Sequence, residues 1–104
     1  MAYEICILKV EEFKKFVNKL DCDGKARLTR DIDFLKENGS GLKMPFAKKI
    51  DKKLWELRTS GKQKIRIIYS IVGTQIYVVN WFIKKTQKTP IKELKTAIKR
   101  LTEI

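Results

Sequence analysis

Three strand-like runs separated by short turns, between residues 54 and 83, constrain the fold of this chain more than any other feature. Leu54 to Arg58 comes first, Lys64 to Val72 follows Thr59-Ser60-Gly61, and Gln75 to Ile83 follows Gly73-Thr74. Runs rich in β-branched and aromatic residues that are joined so tightly form antiparallel hairpins, because parallel strands need a long crossover. This region therefore predicts an antiparallel sheet.

The remaining elements are predicted from apolar periodicity and capping residues. Ala2 to Val10 is predicted as a strand, and helices are predicted over Glu11 to Leu20 and from about Lys25 to Asn38. Ser40 to Lys53 is expected to be a connection. Thr89-Pro90 is expected to open a last helix, with Thr89 as N-cap and Pro90 at the first helical position.

The predicted order β-α-α-β-β-β-α indicates an α+β fold with a mostly antiparallel sheet. The two N-terminal helices are expected to cover one face, which would leave the other face open to a partner or substrate. At 104 residues, the chain 1–104 is expected to be one domain with its own core.

The compartment is predicted from what the sequence lacks. No apolar run approaches the roughly 18 residues that span a bilayer, and the first ten residues do not resemble a signal peptide. We therefore expect a cytoplasmic protein with no membrane partner, in which Cys6 and Cys22 are reduced thiols.

The charge of the chain is concentrated in one part of it. Residues 1–40 hold eight basic and eight acidic side chains, whereas residues 41–104 hold sixteen basic and four acidic ones, so the whole +12 lies in the second part. A field of one sign suits a polyanion such as nucleic acid, because each neutralised phosphate releases counterions. The alternative is a lysine-rich surface that only keeps the protein in solution.

Strand alternation places specific side chains on the expected open face. Trp55 and Leu57 belong in the core, so Glu56 and Arg58 point the other way, as does Arg66 by the same reasoning. Two arginines on neighbouring strands suit a phosphate, because a guanidinium makes two-point contacts with its oxygens. The alternative is an ion pair of Glu56 with either arginine and no substrate.

The end of the third run adds aromatic and basic residues. Trp81 and Phe82 should point to opposite faces, so at most one of them can stack on a base, and core packing is the favoured fate of both. Lys84 and Lys85 follow where the strand leaves the sheet beside the open face. The lysines expected to hold RNA around this site are Lys48, Lys49, Lys62, Lys64 and Lys88.

Three short motifs in order resemble a known family. They are Leu54-Trp55-Glu56-Leu57-Arg58 followed by Gly61, then Arg66-Ile67-Ile68-Tyr69, and then Phe82-Ile83-Lys84-Lys85-Thr86-Gln87-Lys88-Thr89-Pro90, with Glu93 and Ala97 in the final helix. Together they are similar to the phage-derived HigB-like branch of the RelE toxin superfamily. The resemblance implies the RelE-like fold and a toxin that enters the ribosomal A site and cuts translated mRNA. It also implies a cognate antitoxin, of the helix-turn-helix HigA-like kind.

The resemblance assigns roles to matching residues. Arg58 and Arg66 match phosphate-binding and transition-state-stabilising arginines, while Lys84 and Lys85 match the basic junction before the last helix. The chain departs from the best-studied relatives at Glu56, where they have a lysine. It also lacks the catalytic Tyr or His that some of them carry near the final helix.

The residue types restrict the chemistry independently of the resemblance. Without histidine a two-histidine nuclease is excluded, and scattered carboxylates do not favour a two-metal site. Metal-free attack of the RNA 2′-OH on the adjacent phosphate remains, without a cofactor. Arg58, Arg66 and Lys84 or Lys85 would stabilise the transition state, and Glu56 could accept the 2′-OH proton. Two alternatives stay open, a non-catalytic RNA- or DNA-binding module and an inactive phage-derived interaction protein.

Overall fold

The computed structural model describes residues 2–86 and 88–104 and confirms the predicted α+β class. Gln87, part of the junction motif, lies outside the described residues. No helix in the described ranges is long and apolar enough to cross a membrane. The elements are β1 Glu4–Ile7, α1 Val10–Asn18, α2 Cys22–Asn38, β2 Ala47–Asp51, β3 Leu54–Arg58, β4 Ile65–Val72, β5 Gln75–Ile83 and α3 Ile91–Leu101.

The strands form one mostly antiparallel sheet in the order β1-β5-β4-β3-β2. Only β1 runs parallel to its neighbour β5, while β2, β3, β4 and β5 pair antiparallel in sequence order. The prediction that residues 40–53 form only a connection was wrong, because β2 lies there. Its two lysines and its position at an edge, where charged side chains are common, hide the alternation that marks a central strand.

The first core lies between the sheet and the helices α1 and α2. Leu28 and Leu35 of α2 and Phe13 of α1 pack there against buried residues of β3 to β5 such as Leu57 and Ile67. Trp55 also packs on this side, so the predicted orientation of β3 is confirmed.

A second, smaller core corrects the expectation of an open face. Leu54, Ile68, Val79 and Phe82 are buried on the opposite side of the sheet against Ala97 of α3. The C-terminal helix therefore covers much of this face. What it leaves uncovered is the end of the sheet where β3 finishes, β4 begins and β5 finishes.

A bulge in β5 sets which side chains reach each core. Ile68 pairs with Asn80 and Tyr69 with Val78, so Val79 has no partner across the ladder. The extra residue reverses the alternation after it. As a result, Trp81 packs on the α1/α2 side and Phe82 on the α3 side, which confirms their predicted opposite orientations and core packing.

The start of α3 differs from the prediction. Pro90 is the residue before the first helical turn, and it provides no side-chain cap. Thr89 is not the N-cap, because its hydroxyl donates instead to Oε2 of Glu56 at 2.6 Å. A predicted local contact is thus replaced by one to a distant strand.

Enlarging Ala97 tests the packing of α3. Ala97 is fully buried against the sheet, so Ala97→Leu should lower the free energy of unfolding by about 1–3 kcal/mol through overpacking. Ile98→Leu is the matched control on the same helix, because Ile98 is 41% exposed, and it should change stability by less than about 0.5 kcal/mol. Urea unfolding measures both values, and equal stabilities would contradict this packing.

Candidate nucleic-acid interface

A cluster of basic side chains surrounds a cleft at the uncovered end of the sheet. The cleft has a volume of about 370 Å³ and is lined by Arg58, Lys64, Arg66, Lys84, Lys85 and Thr86. Among the described residues, no carboxylate belongs to this lining. The cleft therefore presents five cationic side chains to whatever enters it.

Antiparallel register brings these residues together from three strands. Arg58 of β3 lies directly opposite Arg66 of β4. Beyond the end of β5, the backbone N–H of Lys84 donates to the carbonyl of Lys64 at 2.8 Å, which continues the ladder into the junction. The four predicted catalytic cations are thus neighbours, although Lys84 and Lys85 are separated from Arg58 by more than twenty residues.

The two arginines are held differently. The side chain of Arg66 is 7% exposed, and its Nη1 donates to the carbonyls of Ile65 at 2.9 Å and Thr59 at 3.3 Å. Arg58 is half-buried, and its polar side-chain contact is with Sδ of Met44 at 3.6 Å. Within the described ranges Arg58 forms no ion pair, so its guanidinium keeps more freedom to meet a phosphate.

Glu56 lies beneath this cluster rather than on an open face, which corrects the expectation for it. Its side chain is 2% exposed, and its Oε1 is 3.6 Å from Nε of Arg66. Its Oε2 accepts the hydroxyl of Thr89. The alternative Glu56–Arg66 ion pair is therefore present. A carboxylate held in this way orients Arg66 and is poorly placed to accept a proton from a substrate.

The surroundings of Lys84 shift the pKa of its amine. Desolvation lowers the pKa of Lys84, the charge of Glu56 opposes that shift, and Arg66, Arg58 and Lys48 lower it further. Its ammonium group therefore gives up a proton more easily than that of an ordinary lysine. Burial likewise lowers the pKa of Arg66, but a guanidinium stays charged throughout the useful pH range.

The remaining predicted RNA-binding lysines are placed unequally. Lys64 lines the cleft, and Lys48 pairs with Glu56 across β2 and β3, which puts it on the same face. Lys49 instead lies over the Trp55 ring at 5.7 Å, on the opposite side of the sheet. Lys62 and Lys88 are exposed in the β3–β4 turn and the junction, outside the lining of the cleft.

Three threonines have contacts at the site that the sequence did not predict, although Thr86 and Thr89 lie within the junction motif. Thr86 lines the cleft, Thr89 anchors Glu56, and Thr59 is buried in the turn between β3 and β4. A threonine in a turn is common and gives no sign of such contacts. Tyr69 lies in the first core as alternation predicts, and burial raises its pKa. In the part of the chain that the structure describes, no cluster of three His, Cys, Asp or Glu suits a metal.

Neutralising Glu56 should change the titration of Lys84 in a defined direction. Because the Glu56 charge raises the pKa of Lys84, Glu56→Gln should lower that pKa further, as followed by NMR of the lysine ε-methylene signals. Thr89→Val is the control, since it removes a hydrogen bond from Glu56 but keeps the charge, and it should shift the pKa less. An unchanged or raised Lys84 pKa in Glu56→Gln would contradict the geometry.

The same shift predicts a pH dependence of stability. The folded-state pKa of Lys84 lies below the ordinary value of 10.5, so between the two values the unfolded chain binds more protons at this site than the folded chain. The contribution of Lys84 to stability should therefore rise with pH through that window. The wild type should gain more stability there than Lys84→Met, as measured by urea unfolding at several alkaline pH values, and equal gains would contradict the shift.

Comparison with protein families places this chain in a known group. A family profile described as "Phage derived protein Gp49-like (DUF891)" matches residues 15–102, from within α1 to the end of α3, and this range includes every residue of the cleft. No curated protein matches the chain significantly. Since the profile covers most of the chain, the protein belongs to the phage-derived Gp49-like family, a toxin-like family of the RelE-like superfamily.

Proposed function

We propose that this protein is a HigB-like toxin that cuts mRNA as a metal-independent endoribonuclease, acting on the ribosome and held inactive by a cognate antitoxin. The observation that carries the proposal is the cleft of five cations, Arg58, Lys64, Arg66, Lys84 and Lys85, in which the arginine at the floor is oriented by a buried carboxylate. Such an arrangement favours a substrate that gains negative charge during the reaction.

RNA transesterification meets this requirement. The ribose 2′-oxygen forms a bond to the adjacent phosphorus, the bond from phosphorus to the 5′-oxygen breaks, and the products are a 2′,3′-cyclic phosphate and a 5′-hydroxyl. The 2′-OH loses its proton and the leaving 5′-oxygen gains one. The phosphoryl group carries extra negative charge in between, which Arg58 and Arg66 would stabilise at fixed positions.

Lys84 is suited to protonate the leaving oxygen. Its lowered pKa makes the ammonium a better proton donor than an exposed lysine, and catalytic efficiency rises as the pKa of the acid approaches the working pH. Burial is the main cause of the lowered pKa, and Arg66 and Arg58, which lower it further, are the same cations that would hold the phosphate. Acid catalysis and charge stabilisation therefore support each other in one cluster.

The acceptor of the 2′-OH proton is not an obvious side chain of this cleft. Glu56 is buried and bound to Thr89, outside the lining of the cleft, and the described side chains of the lining are cations and Thr86. This supports a role for the ribosome, since alignment of the 2′-oxygen, the phosphorus and the leaving oxygen can replace a strong base. The same observation favours a second candidate, a protein that binds RNA in this cleft without cutting it.

The antitoxin would have to neutralise the same surface. A partner with acidic side chains or with a helix across the cleft would bury Arg58 and block the entry of phosphate. Exposed charges in such a complex are screened by salt, so the association should weaken as the ionic strength rises. The ribosomal A site would supply the mRNA strand when the antitoxin is absent.

Expression of the chain alone should arrest bacterial growth and translation. Arg58→Ala should relieve the arrest with folding intact, because Arg58 is half-buried and makes no ion pair among the described residues. Arg66→Ala is a poorer test, since it leaves Glu56 buried without its cation, a change that costs about 3–5 kcal/mol in comparable pairs. Lys92→Ala is the control, because Lys92 is exposed on α3.

Growth curves and the amount of folded protein should be measured together for these variants. Normal growth at a verified level of folded wild-type protein would count against the toxin. Arrest by both Arg58→Ala and Lys92→Ala would show that the cleft is not its cause.

The products of cleavage test the chemistry directly. On programmed ribosomes, the 5′ fragment should end in a 2′,3′-cyclic or 3′-phosphate, and a 2′-deoxy substitution at the cut site should prevent cleavage. Lys84→Met should slow the reaction on the order of a hundredfold, as expected for a general acid, with little change for Lys92→Met. The wild-type rate should fall at alkaline pH as Lys84 loses its proton.

Two results would separate the alternatives. Metal-dependent cleavage that leaves a 3′-hydroxyl would contradict the proposed mechanism. Salt-dependent RNA binding at the cleft with no cleavage on or off the ribosome would favour the binding module.

A further inference from the structure

A second cavity adjoins the cleft and shares three of its cations. It has a volume of about 260 Å³ and includes Arg58, Lys64 and Arg66, together with four residues of its own, Pro45, Thr59, Ser60 and Gly61. The two cavities thus meet at a boundary of three basic side chains. A polymer with one phosphate in the first cavity would meet the same cations on its way into the second.

Two buried polar atoms of the residues that line the second cavity have no hydrogen-bond partner among the described residues. They are Oγ1 of Thr59 and Nε of Arg66. Nε of Arg66 lies 3.6 Å from Oε1 of Glu56, so the Thr59 hydroxyl is the one with neither a hydrogen bond nor an ion pair. Thr59 is 1% exposed and lines the second cavity. A buried polar atom without a partner is unfavourable and uncommon in folded proteins, and it calls for a reason such as a ligand.

The wall of the second cavity is fixed to α2. Nη1 of Arg27 donates to Oγ of Ser60 at 3.1 Å, and the backbone N–H of Asp21 donates to Oε1 of Gln63 at 3.0 Å. Gly61 has φ +116°, and a Cβ there would lie 2.9 Å from the Arg27 side chain. The turn is therefore held in one conformation before any ligand arrives, which lowers the entropic cost of binding.

We propose that the second cavity binds the nucleotide next to the scissile phosphate of a single-stranded RNA. The Thr59 hydroxyl hydrogen-bonds to the phosphate of that nucleotide, while Arg58 and Lys64 supply its counter-charge. The choice of occupant follows from the three shared cations, which form one continuous surface for a polyanion. This inference rests on the proposed function for the identity of the strand, although binding at the cavity does not require cleavage.

The test compares two RNA analogues that cannot be cut, a 2′-O-methyl dinucleotide with one phosphate and the corresponding trinucleotide with two. The wild type should bind the trinucleotide on the order of tenfold more tightly, the size of one added charge-assisted hydrogen bond. Thr59→Val should reduce this ratio to about twofold or less. Its melting temperature should stay the same or rise, because an unpaired buried hydroxyl is removed.

Two further variants make the result specific. Thr29→Val makes the same change on α2, where the hydroxyl bonds to the carbonyl of Lys25, and it should leave the ratio unchanged. Ser60→Asp places a carboxylate at the second cavity, and this carboxylate can still accept the hydrogen bond from Arg27. Because it repels a second phosphate, the change should weaken trinucleotide binding more than dinucleotide binding. Ser60→Asp also keeps the test valid should Thr59→Val fold poorly.

The outcomes separate this inference from the proposed function. Equal affinity of the wild type for the two analogues would overturn the second subsite, even if the protein cuts RNA. The same holds if neither Thr59→Val nor Ser60→Asp changes the ratio of the two affinities. A ratio that depends on Thr59 in a protein without cleavage activity would support the subsite and contradict the endoribonuclease. A lower melting temperature in folded Thr59→Val with an unchanged ratio would assign the hydroxyl a structural role and overturn the proposal.

Discussion

The buried Glu56 carboxylate is the interaction on which the cleft depends. It stands beside Arg66 on one side and accepts the Thr89 hydroxyl on the other, so it joins β3, β4 and the segment that leads into α3. Five cations at one end of a sheet would repel one another, and like charges directly opposite each other, as Arg58 and Arg66 are, destabilise strand pairing. A single negative charge beneath them reduces that repulsion.

The same carboxylate links stability to chemistry. It opposes the fall in the pKa of Lys84 and fixes the direction of the Arg66 side chain. A carboxylate that protrudes into the cleft would repel a phosphate, whereas one buried below the guanidinium orients it and stays hidden. This explains how a glutamate can stand in β3 beneath a cleft of cations without repelling an anionic ligand.

The sequence predicts those parts of the fold that depend on local pattern. Alternation in β3 and β4 gave the correct faces for Trp55, Leu57 and Arg66, because both strands are central and one side of each is apolar. The edge strand β2 was not predicted, because its lysines and its position at the edge of the sheet hide the alternation that marks a central strand. The role of α3 in covering the second face was also missed, because an amphipathic helix does not reveal which side of a sheet it will meet.

For the candidate site, the sequence predicted the cations that line the cleft but not every contact around them. Arg58, Arg66, Lys84 and Lys85 were expected together, and the strand register does bring them together. Lys48 and Lys49 were expected to act alike, but adjacent strand residues point to opposite faces, and Lys49 packs on Trp55. The roles of Thr59 and Thr89 could not be identified from the sequence. The Thr89 hydroxyl bonds to Glu56 on a distant strand, and the buried Thr59 hydroxyl has no partner among the described residues.

The central claim is that the cleft stabilises the charge of the transition state of RNA transesterification. The most direct test is the affinity of the protein for a nucleoside 2′,3′-cyclic vanadate, which mimics the pentacoordinate phosphorus, compared with the nucleoside 2′-phosphate. We expect the vanadate to bind at least about a hundredfold more tightly, and Arg58→Ala to lose most of that difference. Equal affinities in the wild-type protein would contradict the account.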